Sequence, residues 1–222
     1  MTTTPDPLQT EVAQIALQAA AGHGFALAGG QALMAHGIVQ RPTQDVDLFT
    51  DRDGAVRSAT ALVTGALEAA GFQVELQREE SDLGDVIEGL DSEIVDLQVS
   101  RSTDHVRLSL ARFDRNEVPG MMEVGPVLHL ADVIGSKVAA LATRAEPRDY
   151  IDVSAALDRF TREELLELGR ASDPALADDE VADAMVRLDR LADDVWQLQY
   201  GLTPQACARI RASFADWPRE VD

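Results

Sequence analysis

Two carboxylates two positions apart, Asp45 and Asp47, follow the pair Gly29-Gly30 after an interval of fourteen residues. Residues i and i+2 of a β-strand share a face, so a strand from Val46 to Phe49 would point both carboxylates one way and Val46 and Leu48 the other. Paired carboxylate oxygens on a rigid strand suit a hard ion such as Mg²⁺. The apolar run Phe25 to Ala28 reads as an earlier strand, ended by the diglycine where a helix from Gln31 to Gly37 begins. A helix start offers N–H groups that have no intrahelical acceptor, and these favour an anion. Strand, turn, helix, loop and strand in this order could hold a triphosphate and divalent ions in one cleft. Alone, each signal has a plainer reading: Asp-x-Asp is commonly a solvated strand edge, and Gly-Gly commonly only a turn.

Further groups could join this chemistry. Asp96 lies in the apolar run Ile94-Val95-Asp96-Leu97-Gln98-Val99, where a carboxylate needs a partner or a metal unless it shares a half-exposed strand face with Gln98. Lys137 is the sole lysine among 19 basic residues. A compact ammonium on a flexible stem suits β- and γ-phosphate oxygens; the alternative is an ordinary surface lysine. Arg144, Arg148, Asp149 and Asp152 follow, either as active-site groups or as a salt-bridge network tying two helices together.

The stretch Leu27-Ala28-Gly29-Gly30-Gln31-Ala32-Leu33 through Arg41-Pro42-Thr43-Gln44-Asp45-Val46-Asp47-Leu48 resembles the nucleotidyltransferase core of the AbiEii/AbiGii toxin family, within the DNA polymerase β-like superfamily. The signature there is a Gly-Gly or Gly-Ser turn, then Arg-x-Thr/Ser-x-Asp-x-Asp-Leu. Lys137-x6-Arg144-x3-Arg148-Asp149-x2-Asp152 resembles the helical half of the same family. Gly30 stands where many superfamily members carry a phosphate-binding Ser, which leaves backbone amides to hold the phosphates. The resemblance implies Mg²⁺-dependent transfer of a nucleoside monophosphate from an NTP to an acceptor hydroxyl, with release of pyrophosphate. It implies Asp45, Asp47 and Asp96 as metal ligands, with Lys137 and Asp152 completing the catalytic set. Gly29, Gly30, Arg41, Thr43, Lys137 and Arg148 would surround the nucleotide. Family members add nucleotides to tRNA 3′ ends, so tRNA is the implied acceptor and a cognate antitoxin the implied partner.

Composition limits the partners. The 222 residues carry a formal charge of −20, from 39 acidic against 19 basic residues, and a chain this acidic repels nucleic acid except at a local basic patch. One such run exists, Arg101, Arg107, Arg112 and Arg115 with His105, and it reads equally as a strand face with ordinary surface arginines. The acidity favours instead a cationic small molecule, as in aminoglycoside-type nucleotidyltransferases. A non-catalytic NTP-binding module is a third reading, set back by the presence of Asp45, Asp47, Asp96 and Lys137. Cys207 alone provides no disulfide framework and fits a reducing cytoplasm. The N-terminus lacks a signal peptide's basic and apolar regions and reads as a short loose tail, and no apolar run reaches the roughly 18 residues of a membrane helix. His23, His36, His105 and His129 show no zinc-ligand spacing, and neither a Walker A nor a Gly-x-Ser-x-Gly sequence occurs.

The elements that position these groups follow from periodicity and capping. Leu8 to Ala21 is expected to be an amphipathic helix with Leu8, Val12, Ile15 and Ala19 on its apolar face. Asp53 is expected to cap a helix reaching Ala70 and ended by Gly71. Strands are expected over Phe72 to Leu76, Asp85 to Glu88, Glu93 to Val99, His105 to Leu110 and Met121 to Val124, with a hairpin turn at Leu90-Asp91-Ser92. Beyond Pro126 the pattern is helical: His129 to Arg144, then Pro147 to about Phe160, a capping box at Thr161 to Glu164, proline-led starts at Asp173-Pro174 and Thr203-Pro204, and an acidic helix start over Asp178 to Asp183. The fold class is therefore α+β, a mixed sheet flanked by helices and followed by a helical bundle. The implied domains are residues 1–126, catalytic, and 127–222, helical and carrying Lys137 and the Arg-Asp-x-x-Asp segment.

Overall fold

The computed structural model describes residues 6–77 and 94–220; the strand and turn expected within 85–92 lie outside the described residues, as do residues 1–5. The chain forms two compact units. Met1–Ala35 with Pro42–His129 makes the first, and His36–Arg41 with Leu130–Asp222 makes the second. No described helix is long and apolar enough to cross a membrane.

The first unit is built on a mixed sheet whose described strands run in the order β3-β4-β5-β2-β1-β7-β6. In chain order these are β1 (Ala26–Leu27), β2 (Asp45–Thr50), β3 (Gln73–Gln77), β4 (Ile94–Arg101), β5 (Asp104–Arg112), β6 (Gly120–Met122) and β7 (Gly125–Val127). β2 pairs parallel with β5 and antiparallel with β1, and β4 pairs antiparallel with β5. The alternation within the strands sorts the two faces. Val46, Leu48, Leu97, Val99, Val106, Leu108 and Leu110 are buried on one side, where α1 (Pro7–Ala19) and α3 (Ala55–Ala69) pack. Asp45, Asp47, Asp96, Arg107 and Ser109 occupy the other side.

Local sequence explains most of the helix ends. Asp6 accepts from Leu8 N at 2.8 Å and Pro7 takes the first helical position of α1. The buried face of α1 is Gln9, Val12, Ala13, Ala16 and Leu17; of the expected stripe Leu8, Val12, Ile15 and Ala19, Val12 is fully buried and the other three are half-buried. Asp53 does not cap α3. Gly54, at φ +69°, precedes Ala55 there, and the Asp53 carboxylate accepts from Arg112 Nε at 2.7 Å. Gly71, at φ +87°, ends that helix turn as expected.

The second unit is helical: α4 (Leu130–Thr143), α5 (Pro147–Ala156), α6 (Arg162–Ser172), α7 (Asp178–Arg190), α8 (Asp193–Tyr200) and α9 (Pro204–Ser213). The Thr161/Glu164 capping box forms in both directions, and Thr203 caps α9 ahead of Pro204. Asp173-Pro174 starts no helix. The Asp173 side chain accepts from Ala175 N at 3.0 Å within a turn, and α7 begins at Asp178. Tyr150, Trp196, Phe214 and Trp217 form an edge-to-face aromatic core, with Tyr150 Oη donating to Ala184 O and Trp196 Nε1 to Pro147 O. Burial pushes the Tyr150 phenol up to about 12.

α4 packs against α5, α6 and α7, and its fit to α6 depends on two glycines. A Cβ on Gly135 would lie 2.5 Å from Leu168 O, and one on Gly169 would lie 2.6 Å from Val138 Cγ1. Replacing Gly135 by alanine gains about 1 kcal/mol of helix propensity. Against this stands overpacking of roughly 1–3 kcal/mol, and here the clash is with backbone, which yields least. Gly135→Ala is therefore expected to lower the denaturant midpoint of the helical unit; a midpoint equal to or above wild type would show that α4 and α6 separate freely.

Candidate active site

β2 places Asp45 and Asp47 on the face opposite the apolar core, both half-buried. The register carries this row across the sheet. Asp45 lies beside Arg107, Asp47 beside Ser109, and Ser109 beside Asp96. With neighbouring strands about 4.8 Å apart, the backbones of Asp47 and Asp96 stand roughly 10 Å apart across β5. Asp96 is 8% exposed, and both its oxygens are engaged: Ser109 Oγ donates to Oδ1 at 2.5 Å and Arg107 Nη2 to Oδ2 at 2.6 Å. Burial pushes its pKa up, but the hydrogen bonds from Arg107 and Ser109 and the Arg107 charge outweigh that and hold it below the ordinary carboxylate value. The three carboxylates thus share a face without being gathered together. Among the described residues, no group of three or more His, Cys, Asp or Glu is placed to hold a metal ion.

Gly29 is the first residue of α2 (Gly29–Ala35), at φ +59°. A Cβ built on it would fall 1.8 Å from Asp47 Oδ2, so the carboxylate occupies the space a side chain would need. Ala28 N donates to Asp47 O at 2.8 Å and ties the diglycine corner to β2. The loop before β2 is held by two glutamines that sequence reasoning missed. Gln9 Nε2 donates to Thr43 O at 2.7 Å, and Gln9 Oε1 accepts from Thr43 Oγ1 and from Gln31 Nε2. Gln31 Nε2 also donates to Asp45 O at 3.2 Å. No sequence signal marked Gln9, because the buried face of α1 that carries it is not the stripe that the apolar spacing predicts. Thr43, expected beside the nucleotide, spends its hydroxyl on Gln9.

In the second unit Asp152 is fully buried and meets two cations. Arg41 grips it in a two-pronged pair, Nε to Oδ1 and Nη2 to Oδ2, both at 2.7 Å, and Lys137 Nζ stands 3.2 Å from Oδ2. Burial opposes the Arg41 charge, yet the hydrogen bond and charge of Asp152 outweigh it and raise the Arg41 pKa. Asp149, also fully buried, accepts from Arg144 at 2.9 and 3.0 Å and from Glu146 N at 3.0 Å, so this pair joins α4 to α5 and caps α5. Arg148 pairs with Glu146 at 2.8 Å. The structure therefore gives Asp149 the network role and brings Arg41, Lys137 and Asp152 into one cluster.

The arginine run of the first unit resolves into ion pairs. Arg101 pairs with Glu11, Arg107 with Asp96, Arg112 with Asp53 and Asp114, and Arg115 with Asp51. Each guanidinium meets a carboxylate, which weakens its pull on a phosphate backbone.

A family model described as "Nucleotidyl transferase AbiEii toxin, Type IV TA system" matches residues 13–216. No curated protein matches significantly by sequence. Among solved structures, the chain is similar to MenT4, a nucleotidyltransferase toxin from Mycobacterium tuberculosis H37Rv, with a TM-score of 0.58 and 17% identity over 94% of this chain and 82% of that one. It is also similar to JHP933 from Helicobacter pylori, with a TM-score of 0.56 and 13% identity over 95% of this chain and 91% of that one. A putative nucleotidyltransferase from H. pylori gives a TM-score of 0.55 and 14% identity, over 93% and 91% of the two chains. At these identities the likeness is one of fold.

Two stability measurements test the site's construction. Gly29→Ala is expected to cost at least about 1–2 kcal/mol from the positive φ alone. Asp47→Ala should recover part of any further loss in the double variant, because it removes the colliding carboxylate; strictly additive effects would show that Asp47 does not sit over Gly29. Asp152→Leu leaves Arg41 and Lys137 buried without their carboxylate and is expected to cost roughly 3–5 kcal/mol in urea unfolding. A change below about 1 kcal/mol would mean that the cluster is solvated.

Proposed function

The chain belongs to the AbiEii nucleotidyl transferase toxin family, and on that footing we propose that it transfers a nucleoside monophosphate from an NTP to an acceptor hydroxyl, releases pyrophosphate, and takes tRNA 3′ ends as acceptor. The observation that carries this reading is the pair Asp45 and Asp47 on one face of β2, with the Asp47 carboxylate lying against Gly29 at the diglycine corner. The donors on that face are carboxylate oxygens, which suit Mg²⁺. When bound, Mg²⁺ supplies charge neutralisation at the phosphates and polarises the reacting oxygens.

The chain's own residues divide the remaining work. Asp45 and Asp47 are the ligands this reading places on the rigid strand; Asp96, across β5 and engaged by Arg107 and Ser109, would join them only by turning from those partners. Gln9, Thr43 and Gln31 act indirectly, by fixing the backbone that carries Asp45. Gly29 and Gly30 let phosphate oxygens approach the backbone closely. Lys137 is the ammonium assigned to the triphosphate, with Arg41 and Arg148 as further cations. Asp152 touches Arg41 and Lys137 and works through them as a positioning residue. Catalysis in this scheme is mostly positioning and charge neutralisation. A cognate antitoxin is the partner that the family implies.

A cationic small-molecule acceptor is the second reading, favoured by the formal charge of −20 and by the pairing of Arg101, Arg107, Arg112 and Arg115 with carboxylates. One experiment separates the two. The protein is incubated with Mg²⁺ and each α-³²P-labelled NTP in the presence of total tRNA, aminoglycosides and total protein. Label in tRNA that disappears with Asp47→Ala is the expected result. Label confined to the aminoglycosides would replace the acceptor, and no label from any NTP despite nucleotide binding would overturn the transferase reading.

A further inference from the structure

The face of the first unit that carries the carboxylates changes character along β2. Phe49 takes the next position on that face after Asp47, about 7 Å further along the strand, and its side chain is half-buried rather than covered. Its in-register neighbours are small residues, Ala26 on β1 and Ala111 on β5. Phe113 N donates to Thr50 O at 2.8 Å, which carries the β2–β5 pairing past Arg112. This sets a second half-buried ring, Phe113, with its centroid 5.5 Å from that of Phe49 and an interplanar angle of 36°. Two aromatic rings thus lie on a face otherwise marked by Asp45, Asp47, Asp96, Arg107 and Ser109. Strand alternation keeps them out of the core, which takes Leu48 and Leu110 instead.

We propose that Phe49, backed by Phe113, is the platform on which the terminal base of an RNA acceptor stacks. The inference rests on the nucleotidyl-transfer reading given above and adds the contact that selects the acceptor. Direction along β2 decides which reactant meets the rings. β1 runs antiparallel to β2 and leads into Gly29, so the diglycine corner lies from Asp47 toward Asp45, and Phe49 lies from Asp47 the other way. In-line displacement puts the attacking hydroxyl opposite the leaving pyrophosphate. With the phosphates at the diglycine corner, the acceptor therefore comes from the Phe49 side. Single-stranded RNA ends are held by bases stacked on aromatic side chains, which supply a flat apolar surface of this kind. Stacking also suits the charge of the chain. It draws on no counterion release, so an acidic protein whose Arg101, Arg107, Arg112 and Arg115 meet carboxylates gains a hold on RNA that phosphate contacts do not give it. A polycationic acceptor would call for carboxylates at this position, where the neighbours of Phe49 in register are alanines.

The test is equilibrium binding, by fluorescence anisotropy, of a short 5′-fluorescein RNA ending in CCA and of the same RNA with an abasic ribose in place of its last nucleoside. Wild type is expected to hold the base-bearing RNA about tenfold more tightly than the abasic one, with the ratio unchanged as salt rises. Phe49→Leu, which keeps apolar bulk and loses the flat ring, should bring the ratio close to one without changing affinity for the abasic RNA. Phe49→Tyr should keep the ratio within about twofold of wild type, and NTP affinity should be the same in all three proteins. A wild-type ratio near one would overturn the platform, and this reading does not depend on how well any variant folds. A ratio in Phe49→Leu equal to that of wild type would overturn the role of Phe49 and leave the transferase reading standing. Loss of NTP affinity in Phe49→Leu with the RNA ratio intact would put the donor's base on the rings and overturn the acceptor assignment. Wild type that binds NTP and neither RNA would overturn RNA as acceptor, and this inference with it.

Discussion

The pairing register of β2, β5 and β4 governs both faces of the sheet at once. Leu108 and Leu110 are fully buried on the core side, against Val46, Leu48 and Leu97, and the intervening Arg107 and Ser109 consequently stand among Asp45, Asp47 and Asp96. A slip of one residue would drive Arg107 into the core and Leu108 out of it, at a cost that no surface interaction offsets. Hydrophobic packing on one side therefore fixes the charge pattern on the other. The chemistry-bearing face needs no separate folding instruction.

That coupling explains which parts were legible in the sequence. Asp45 and Asp47 share a face because a strand alternates, and the alternation is written in Val46 and Leu48 beside them. The Thr161/Glu164 box and the Thr203-Pro204 start are equally local, since the capping side chain and its target lie within three residues of each other. Local signals also misled. Asp53 precedes α3 but is drawn to Arg112, 59 residues away, and Gly54 takes the cap position at positive φ. Asp173-Pro174 has the composition of a helix start and forms a turn instead: the Asp173 carboxylate accepts from Ala175 N, and the helix that follows begins at Asp178, where Glu180 accepts from Ala177 N and acidic residues fill the first turn.

The less legible residues are those whose partners are distant in the chain. Gln9 holds the Thr43 loop across 34 residues, and Arg41 meets Asp152 across 111. Neither span leaves a periodicity that a sequence window can detect. The arginine run from Arg101 to Arg115 looked like a candidate basic patch because its carboxylate partners, Glu11, Asp51 and Asp53 among them, come from other strands, helices and loops. Charge density along a chain is a poor guide to potential at a surface when the pairing is tertiary.

Asp149 and Asp152 show how two similar signals part company. They sit one helical turn apart on α5, both fully buried and both facing arginine. Asp149 accepts from Arg144 and from the backbone N–H of Glu146, so its burial is repaid by a helix cap and an α4–α5 tie. Asp152 caps nothing. Its oxygens meet Arg41 and Lys137, side chains brought from a loop and from another helix, and taking three charges out of water is seldom a route to stability when apolar residues would fill the same volume. Such an arrangement makes physical sense where the positions of the cations matter more than the folding energy they contribute. The sole lysine of the chain and a loop arginine are held at fixed positions by one carboxylate, the kind of fixed geometry that the proposed role in binding phosphate would use.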